Sequence, residues 1–421
     1  MEKLYLGIEL DDSGCNLAWL DSEKRMVQKL QDRNGDSEIP AYLCLDTVEN
    51  RWYAGKEAEA FQGREGCIVL NRLVSLFRSG QYLEACGECY TDEDMLREFL
   101  NYVLQEASRR CGLKVIGSLV VCLSQVQIWE AEKISRICRS IGVDPMAVHV
   151  LNRQECFMYY LMSQKHEIWS NVSLLFDYGK NGLFCYEVSL IKGLRPVTAQ
   201  AHMEKVTGVP PVELTRQEGE ERNAVDRWFS SLAEKKMAGK IVSSVMLCGE
   251  GFSDLSWTRE FIKSISSQKS RKVYQTDVLY GMGAAFAAYH IAEKHKNFPY
   301  RCICDGRISV TVSIFVDEKE GSEQLILVQA GTSCYEARSS IDLNLVGQKS
   351  ISLYVRNTGA QESYRLTMDL SSFVADGRER TKIRLSIAFS KTDAMVVRIE
   401  DLGFGEIYPS TGQIMQQCYK V

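Results

Sequence analysis

The sequence predicts a mixed α/β region followed by an all-β region, on three observations. Before Pro299, apolar runs of strand length alternate with segments whose apolar residues repeat at helical spacing, the pattern of a sheet covered by helices. From about Arg307 onward only alternating strands and turn residues follow one another. The chain has 421 residues, 45% of them hydrophobic and 25% charged, which suits two or three ordinary folded domains.

The elements follow in order. "KLYLGIEL" and "GCNLAWLD" read as two strands joined by the polar turn Asp11-Asp12-Ser13-Gly14. "IPAYLCLD" is a third strand, and "RWYAGKEAEAFQG" is a strand running into a short helix. From Asp94 the residues Leu96, Phe99, Leu100, Val103, Leu104 and Ala107 share one helical face. "VIGSLVVCLS" is a buried strand, "QIWEAEKISRICRSIG" a helix, "AVHVLN" a strand and "QECFMYYLMSQ" a helix. "LLFDYGKNGLFCYEV" is a β-hairpin with Lys180 and Asn181 at its tip. "AVDRWFSSLAEKKMA" is helical, "IVSSVMLCGEGF" is a strand entering a glycine turn, and "VLYGMGAAFAAYHIAEKH" is a helix beginning on small residues. The composition changes between Phe298 and Arg307. Seven strand-like runs then follow, from "RISVTVSIFV" to "AMVVRIEDL", and suggest a β-sandwich over 307–421.

Charge and cysteine usage exclude several classes. A net charge of −5 with no basic run argues against nucleic acid as a partner. No apolar stretch is long enough to span a membrane. "MEKLYLGIEL" lacks the apolar core of a signal peptide, and the expected compartment is the cytoplasm. The 15 cysteines lie mostly alone inside apolar runs, as Cys44, Cys122 and Cys248 do, and read as small buried hydrophobes. Cys86 and Cys89 form a C-x-x-C, but Cys302 and Cys304 have the wrong spacing for a second pair, so no zinc is expected. The histidines, His149 among them, carry no catalytic-triad spacing.

Taken in order, "YLGIELDDSG", "IPAYLCLD", "VLNRLVSLF", "VIGSLVVCLSQVQIWEAEKISRICRSIG", "LLFDYGKNGLF", "VMLCGEGF" and "GMGAAFAAY" resemble the seventy-kilodalton heat-shock (DnaK-type) chaperones of the actin-like ATPase superfamily. The segment "TKIRLSIAFSKTDAMVVRIED" resembles their substrate-binding β-sandwich, without the helical lid. The resemblance implies an actin-like ATPase fold over 1–300, with lobe I at about 1–170 and lobe II at about 171–300, the second carrying a reduced insert. A chaperone-type substrate domain would occupy 307–421.

It also implies site residues. Glu9 stands where the family has an aspartate, and with Asp177 it would form the catalytic pair. Asp177 would hold Mg²⁺, directly or through water. Nucleotide contacts would come from Asp12, Ser13, Gly179, Lys180, Asn181, Gly249, Glu250, Gly251 and Gly283, with ATP or ADP as the cofactor. A bound peptide would meet Cys334 and Tyr335.

Several of these positions depart from the family. Asp11 and Asp12 replace small residues and would repel a triphosphate. Asn71 stands where a lysine is expected, and Arg153 where a carboxylate is expected, with Glu155 two positions on. Lys180 and Asn181 replace two glycines; they read either as an anion site of different design or as the exposed tip of a hairpin. Asp177 reads as a ligand or as a strand-end acid, and Gly249-Glu250-Gly251 as a ribose contact or a plain strand-to-helix turn. Gly281 and Gly283 also suit close helix packing.

Three functions are therefore open: a nucleotide-responsive, chaperone-like protein-binding protein with weak or absent hydrolysis, a slow Mg-ATPase chaperone using Glu9, Asp177 and Lys180 in altered roles, or a scaffold that uses the fold without nucleotide.

Overall fold

The computed structural model describes residues 3–21, 26–112, 115–267, 271–293, 299–318, 321–359, 362–371, 373, 380–405 and 409–421. The chain divides into two compact units, residues 1–190 with 201–300 and residues 191–200 with 301–421. Phe298, where the change of composition begins, lies outside the described residues.

In the first unit, β1 (Lys3–Leu10) turns back antiparallel on β2 (Gly14–Asp21), and β3 (Met26–Lys29) continues from β2. On its other side β1 runs parallel to β4 (Val115–Leu123), which runs parallel to β5 (Val148–Asn152). The order is β5-β4-β1-β2-β3. The central strands read as continuous apolar runs because both of their faces are buried. The longer helices of this half are α1 (Leu73–Ser79), α2 (Asp92–Cys111), α3 (Ile128–Ser140) and α4 (Arg153–Met162). A capping box between Thr91 and Asp94 starts α2, and the apolar stripe from Met95 to Ala107 is its buried face.

The second half repeats this plan. β6 (Val172–Gly179) pairs antiparallel with β7 (Gly182–Ile191), and β8 (Val197–Val206) follows. β6 also runs parallel to β9 (Val242–Cys248), which runs parallel to β10 (Lys272–Gln275). The run β10-β9-β6-β7-β8 has the same order as the first sheet. Its helices are α5 (Glu220–Met237), α6 (Arg259–Ile265) and α7 (Leu279–Ala292).

Helix α7 ties the two halves together. It packs on β1, β2, β4 and α4, and it is mostly buried. Glycine permits this approach. A Cβ on Gly7 of β1 would lie 2.3 Å from the Ala285 nitrogen and the Gly281 oxygen. A Cβ on Gly283 would lie 2.0 Å from the Cys156 carbonyl oxygen in α4. Gly283, which the resemblance assigned to nucleotide, thus sits at a helix–helix contact.

The second unit contains β11 (Val310–Glu318), β12 (Gly321–Val328), β13 (Arg338–Val346), β14 (Ser350–Asn357), β15 (Glu362–Asp369), β16 (Arg380–Lys391), β17 (Ala394–Gly403) and β18 (Ile414–Lys420). They form two antiparallel sheets, β12-β11-β14-β15 and β13-β16-β17-β18. Alternate residues of both sheets enter one core: Val310, Val312, Leu353 and Val355 from the first, Ile383, Leu385, Val397 and Ile399 from the second. The mixed α/β region is thus followed by an all-antiparallel β region. Strand β18 lies beyond the seven runs recognised in the sequence. Among the described residues no helix is long and apolar enough to cross a membrane.

Gly283→Ala should destabilise the first unit by about 1–3 kcal/mol, because the obstructing atoms are backbone and cannot swing away. Urea unfolding of the variant measures this, and an unchanged midpoint would mean that α4 and α7 separate freely.

Candidate functional site

The β1–β2 and β6–β7 hairpins both reach a cavity of about 550 Å³. Its centre is set by the start of α4. Asn152 caps that helix, its Oδ1 accepting from the Glu155 N–H at 2.8 Å. Glu155 Oε2 in turn accepts from the Asn152 N–H at 2.9 Å. Glu155 is therefore spent on the cap, and Arg153, the first helical residue, faces the cavity.

Three carboxylates meet the Arg153 guanidinium. Its Nη2 donates to Glu9 Oε1 at 2.9 Å and to Asp11 Oδ2 at 2.8 Å. Its Nη1 lies 3.7 Å from Asp177 Oδ2. The guanidinium also stands 5.0 Å from the centre of the Tyr280 ring, and the Tyr280 hydroxyl donates to Asp177 Oδ2 at 2.8 Å. Burial alone would disfavour the charge on Arg153, but Glu9, Asp177, Tyr280 and Asp11 hold it firmly protonated. Burial pushes the Glu9 carboxyl up to about 7, against the opposing pull of Arg153 and with help from Asp11 and Asp177. The pKa of Glu38, at the same cavity, is also raised, first by burial and then by Asp11 and Glu250.

The first turn is closed on itself. Asp11 Oδ1 accepts from the Ser13 N–H at 2.8 Å and the Gly14 N–H at 3.1 Å. These are the backbone donors of the turn that would otherwise face an anion. Asp12 points elsewhere. Its Oδ1 accepts from the Ser75 N–H at 2.8 Å and its other oxygen from the Ser75 hydroxyl. Helix α1 lacks a local side-chain cap, because its N-cap residue is Arg72, whose guanidinium can donate but not accept. Asp12 supplies that cap from a distance. Of the two expected nucleotide contacts here, Ser13 lines the cavity and Asp12 ties α1 to the turn.

At the second hairpin, Gly179, Lys180 and Asn181 all line the cavity, and the positive φ of the turn falls on Gly182, at 102°. Lys180 is exposed and lies 3.7 Å from Glu250 Oε1, which also accepts from Arg216. Gly249 has φ 92°, and a Cβ there would lie 2.5 Å from the Tyr178 carbonyl oxygen. A Cβ on Gly251 would lie 2.1 Å from the Tyr178 ring. Both glycines thus have a packing role in seating the turn after β9 on β6.

Six carboxylates line the cavity, namely Glu9, Asp11, Glu38, Asp177, Glu250 and Asp277, against the two cations Arg153 and Lys180. Asp177, the expected Mg²⁺ ligand, meets Arg153 and Tyr280. Among the described residues no group of three or more His, Cys, Asp or Glu side chains is arranged to hold a metal ion. Cys86 and Cys89 are exposed on a short hairpin, while Cys302 and Cys304 are buried. In the second unit Cys334 packs against the core and Tyr335 is half-buried.

Arg153, Tyr280 and Asp11 make the centre of the site, and none was among the residues expected to act. The signal available for Arg153 was a charge reversal, a cation where the resembled family has a carboxylate. Tyr280 carried no signal, since a tyrosine at the start of an apolar helix reads as core.

Compared with models of protein families, residues 26–305 match the C-terminal part of a family of unknown function, DUF5716. Residues 307–421 match a domain of unknown function, DUF8552. No curated protein matches the chain.

Glu9 provides a pH test. Its pKa in the folded protein lies above the ordinary 4.5, so between about 4.5 and 7 the folded state holds more protons than the unfolded chain. The stability it contributes is complete below that window and is lost as the pH rises through about 7. Glu9→Gln should therefore flatten the fall of unfolding free energy between about pH 5 and pH 8, gaining on the wild type at the alkaline end. Denaturant unfolding across that range is the measurement; parallel curves for the two proteins would refute the assignment.

Proposed function

The chain belongs to the family of unknown function DUF5716, and we propose that it is a chaperone-like protein of actin-like architecture that binds protein partners without turning over ATP. One observation carries this reading: the cleft supplies its own ions. Asp11 takes the turn N–H groups that a phosphate would use, and Arg153 lies among the carboxylates that a Mg²⁺–phosphate would need. Two sheets of matching strand order, with a cavity at their hairpins, support the actin-like part of the reading.

Phosphoryl transfer depends on pre-placed positive charge and backbone donors around the phosphates. Here a nucleotide would have to pull Asp11 off Ser13 and Gly14 and Arg153 off Glu9, then settle among six carboxylates. Each exchange opposes binding. Lys180, engaged near Glu250, does not restore the balance. A slow ATPase built on Glu9, Asp177 and Lys180 is disfavoured for the same reason.

Binding of a protein is supported by the second unit, read as a β-sandwich. Its edge strand β12 leaves Leu325 and Ile326 exposed, and neighbouring β11 exposes Phe315. An unpaired edge bearing apolar side chains is a place where another chain can add.

Two measurements test the proposal. Phosphate release from Mg-ATP should stay at the buffer background, and millimolar Mg-ATP should leave the melting temperature unchanged, since a ligand that binds the native state raises it. Mg²⁺-dependent turnover that disappears in Asp177→Ala would overturn the reading. Arg153→Ala should destabilise the protein by about 3–5 kcal/mol, because it leaves buried carboxylates without their cation. Chemical denaturation reads that loss.

A further inference from the structure

The outer faces of the two sheets in the second unit differ in how their charges are matched. On the second sheet each cation has an acid beside it. Lys382 and Arg384 of β16 share Asp342 of β13, and Arg398 of β17 lies 3.6 Å from Glu400. The first sheet is different. Val310, Val312, Leu353 and Val355 point into the core, so the residues between them face outward. Register sets Thr311 opposite Arg356, and Arg356 opposite Ser363. In the next row Ser313 stands between Ile326 and Tyr354, with Arg365 beyond. Neither row contains a carboxylate.

A third arginine joins this face. Thr311 Oγ1 accepts from the Ala330 N–H at 3.1 Å, and the next residue, Gly331, packs on Arg301. A Cβ on Gly331 would lie 2.8 Å from Arg301 Cγ. Burial first, and the charge of Arg356 second, lower the Arg301 pKa, so the two guanidinium groups are close enough to repel. Neither makes a hydrogen bond or an ion pair among the described residues. Aromatic surface lies beside them. Phe315 and Tyr354 meet edge to face with ring centres 4.9 Å apart. Arg365 stands 5.8 Å from the centre of the Tyr354 ring and donates to Ser352 Oγ at 2.8 Å. Phe315 is 47% exposed and Ile326 55%. A single exposed apolar residue or arginine needs no explanation. Here an aromatic pair, an exposed isoleucine and guanidinium groups without counter-charge share one sheet face. Aromatic residues and arginine are the types enriched where proteins meet.

We infer that this face docks an extended acidic segment of a partner protein, with its carboxylates at Arg301 and Arg356 and its apolar side chains on Phe315, Tyr354 and Ile326. The inference rests on the reading of the second unit as a protein-binding domain and names the chemistry of its partner. Nucleic acid would also suit arginines and aromatic rings, but the net charge of −5 and the lack of a basic run favour a protein. Fluorescence anisotropy of the full chain is the test. A short labelled peptide in which glutamate alternates with phenylalanine and leucine should bind saturably, and more weakly as salt is raised. Its counterpart with lysine in place of glutamate, and an oligoglutamate without apolar residues, should each bind about tenfold more weakly or worse. Arg356→Glu and Phe315→Ser, both exposed changes, should each weaken the acidic peptide about tenfold or more at an unchanged melting temperature. Lys235→Glu, the same change of net charge on the exposed side of α5, should leave binding unaltered. Absence of saturable binding, equal binding of either control peptide, or tighter binding of a single-stranded oligothymidylate would overturn the inference and leave the absence of ATP turnover standing. Binding that survives both Arg356→Glu and Phe315→Ser would keep the chain a protein binder and overturn this face as the site.

Discussion

The first unit is organised around one buried cation. Arg153 sits in the first turn of α4, where the helix dipole is positive and adds to the cost of burying a guanidinium. Such a group persists only if opposite charge reaches it with good geometry. Glu9 arrives from the end of β1, Asp11 from the first turn, and Asp177 from the end of β6. The β1–β2 hairpin, the start of α4 and the end of β6 are therefore held in register by the requirements of a single side chain. Tyr280 extends the set by binding Asp177 and covering the guanidinium with its ring.

The same constraint explains why the acids of the first turn are tolerated. Asp11 and Asp12 look like an error beside a phosphate site, yet each has a structural partner. Asp11 satisfies two turn N–H groups and Arg153 together, and Asp12 caps α1. Like charges this close would repel if they faced one void. They are separated because one points to the guanidinium and the other to the helix N-terminus. The residual strain collects on Glu9, which is buried, flanked by Asp11 and Asp177, and compensated only in part.

Much of the fold was legible in the sequence, since buried central strands and amphipathic helices declare themselves by periodicity. Some strands at sheet edges did not. Lys272–Gln275 and Ile414–Lys420 are largely exposed and lack an apolar alternation, so nothing in their residues separates them from loops. The site was legible in position and illegible in role. Glu9, Ser13, Asp177, Gly179, Lys180, Asn181, Gly249 and Glu250 all border one cavity. What they do there depends on contacts such as Arg153 with Glu9, made across 144 positions of sequence, which no local pattern contains.

The glycines illustrate the limit of motif reasoning. A glycine after a strand suggests a backbone waiting for phosphate, because a side chain would block that approach. At Gly249 and Gly251 the obstructed neighbour is the protein's own Tyr178, at its carbonyl and its ring. At Gly7 and Gly283 it is the backbone of α7 and α4. Packing thus requires these glycines whether or not a ligand is present, and they carry little weight as evidence for one. Charge is the better discriminator. A phosphate site needs unspent donors and a surplus of positive charge, and this cleft has its first-turn donors engaged and a surplus of carboxylates. The two hairpins meet at one cavity, and the charges inside it are arranged around an arginine.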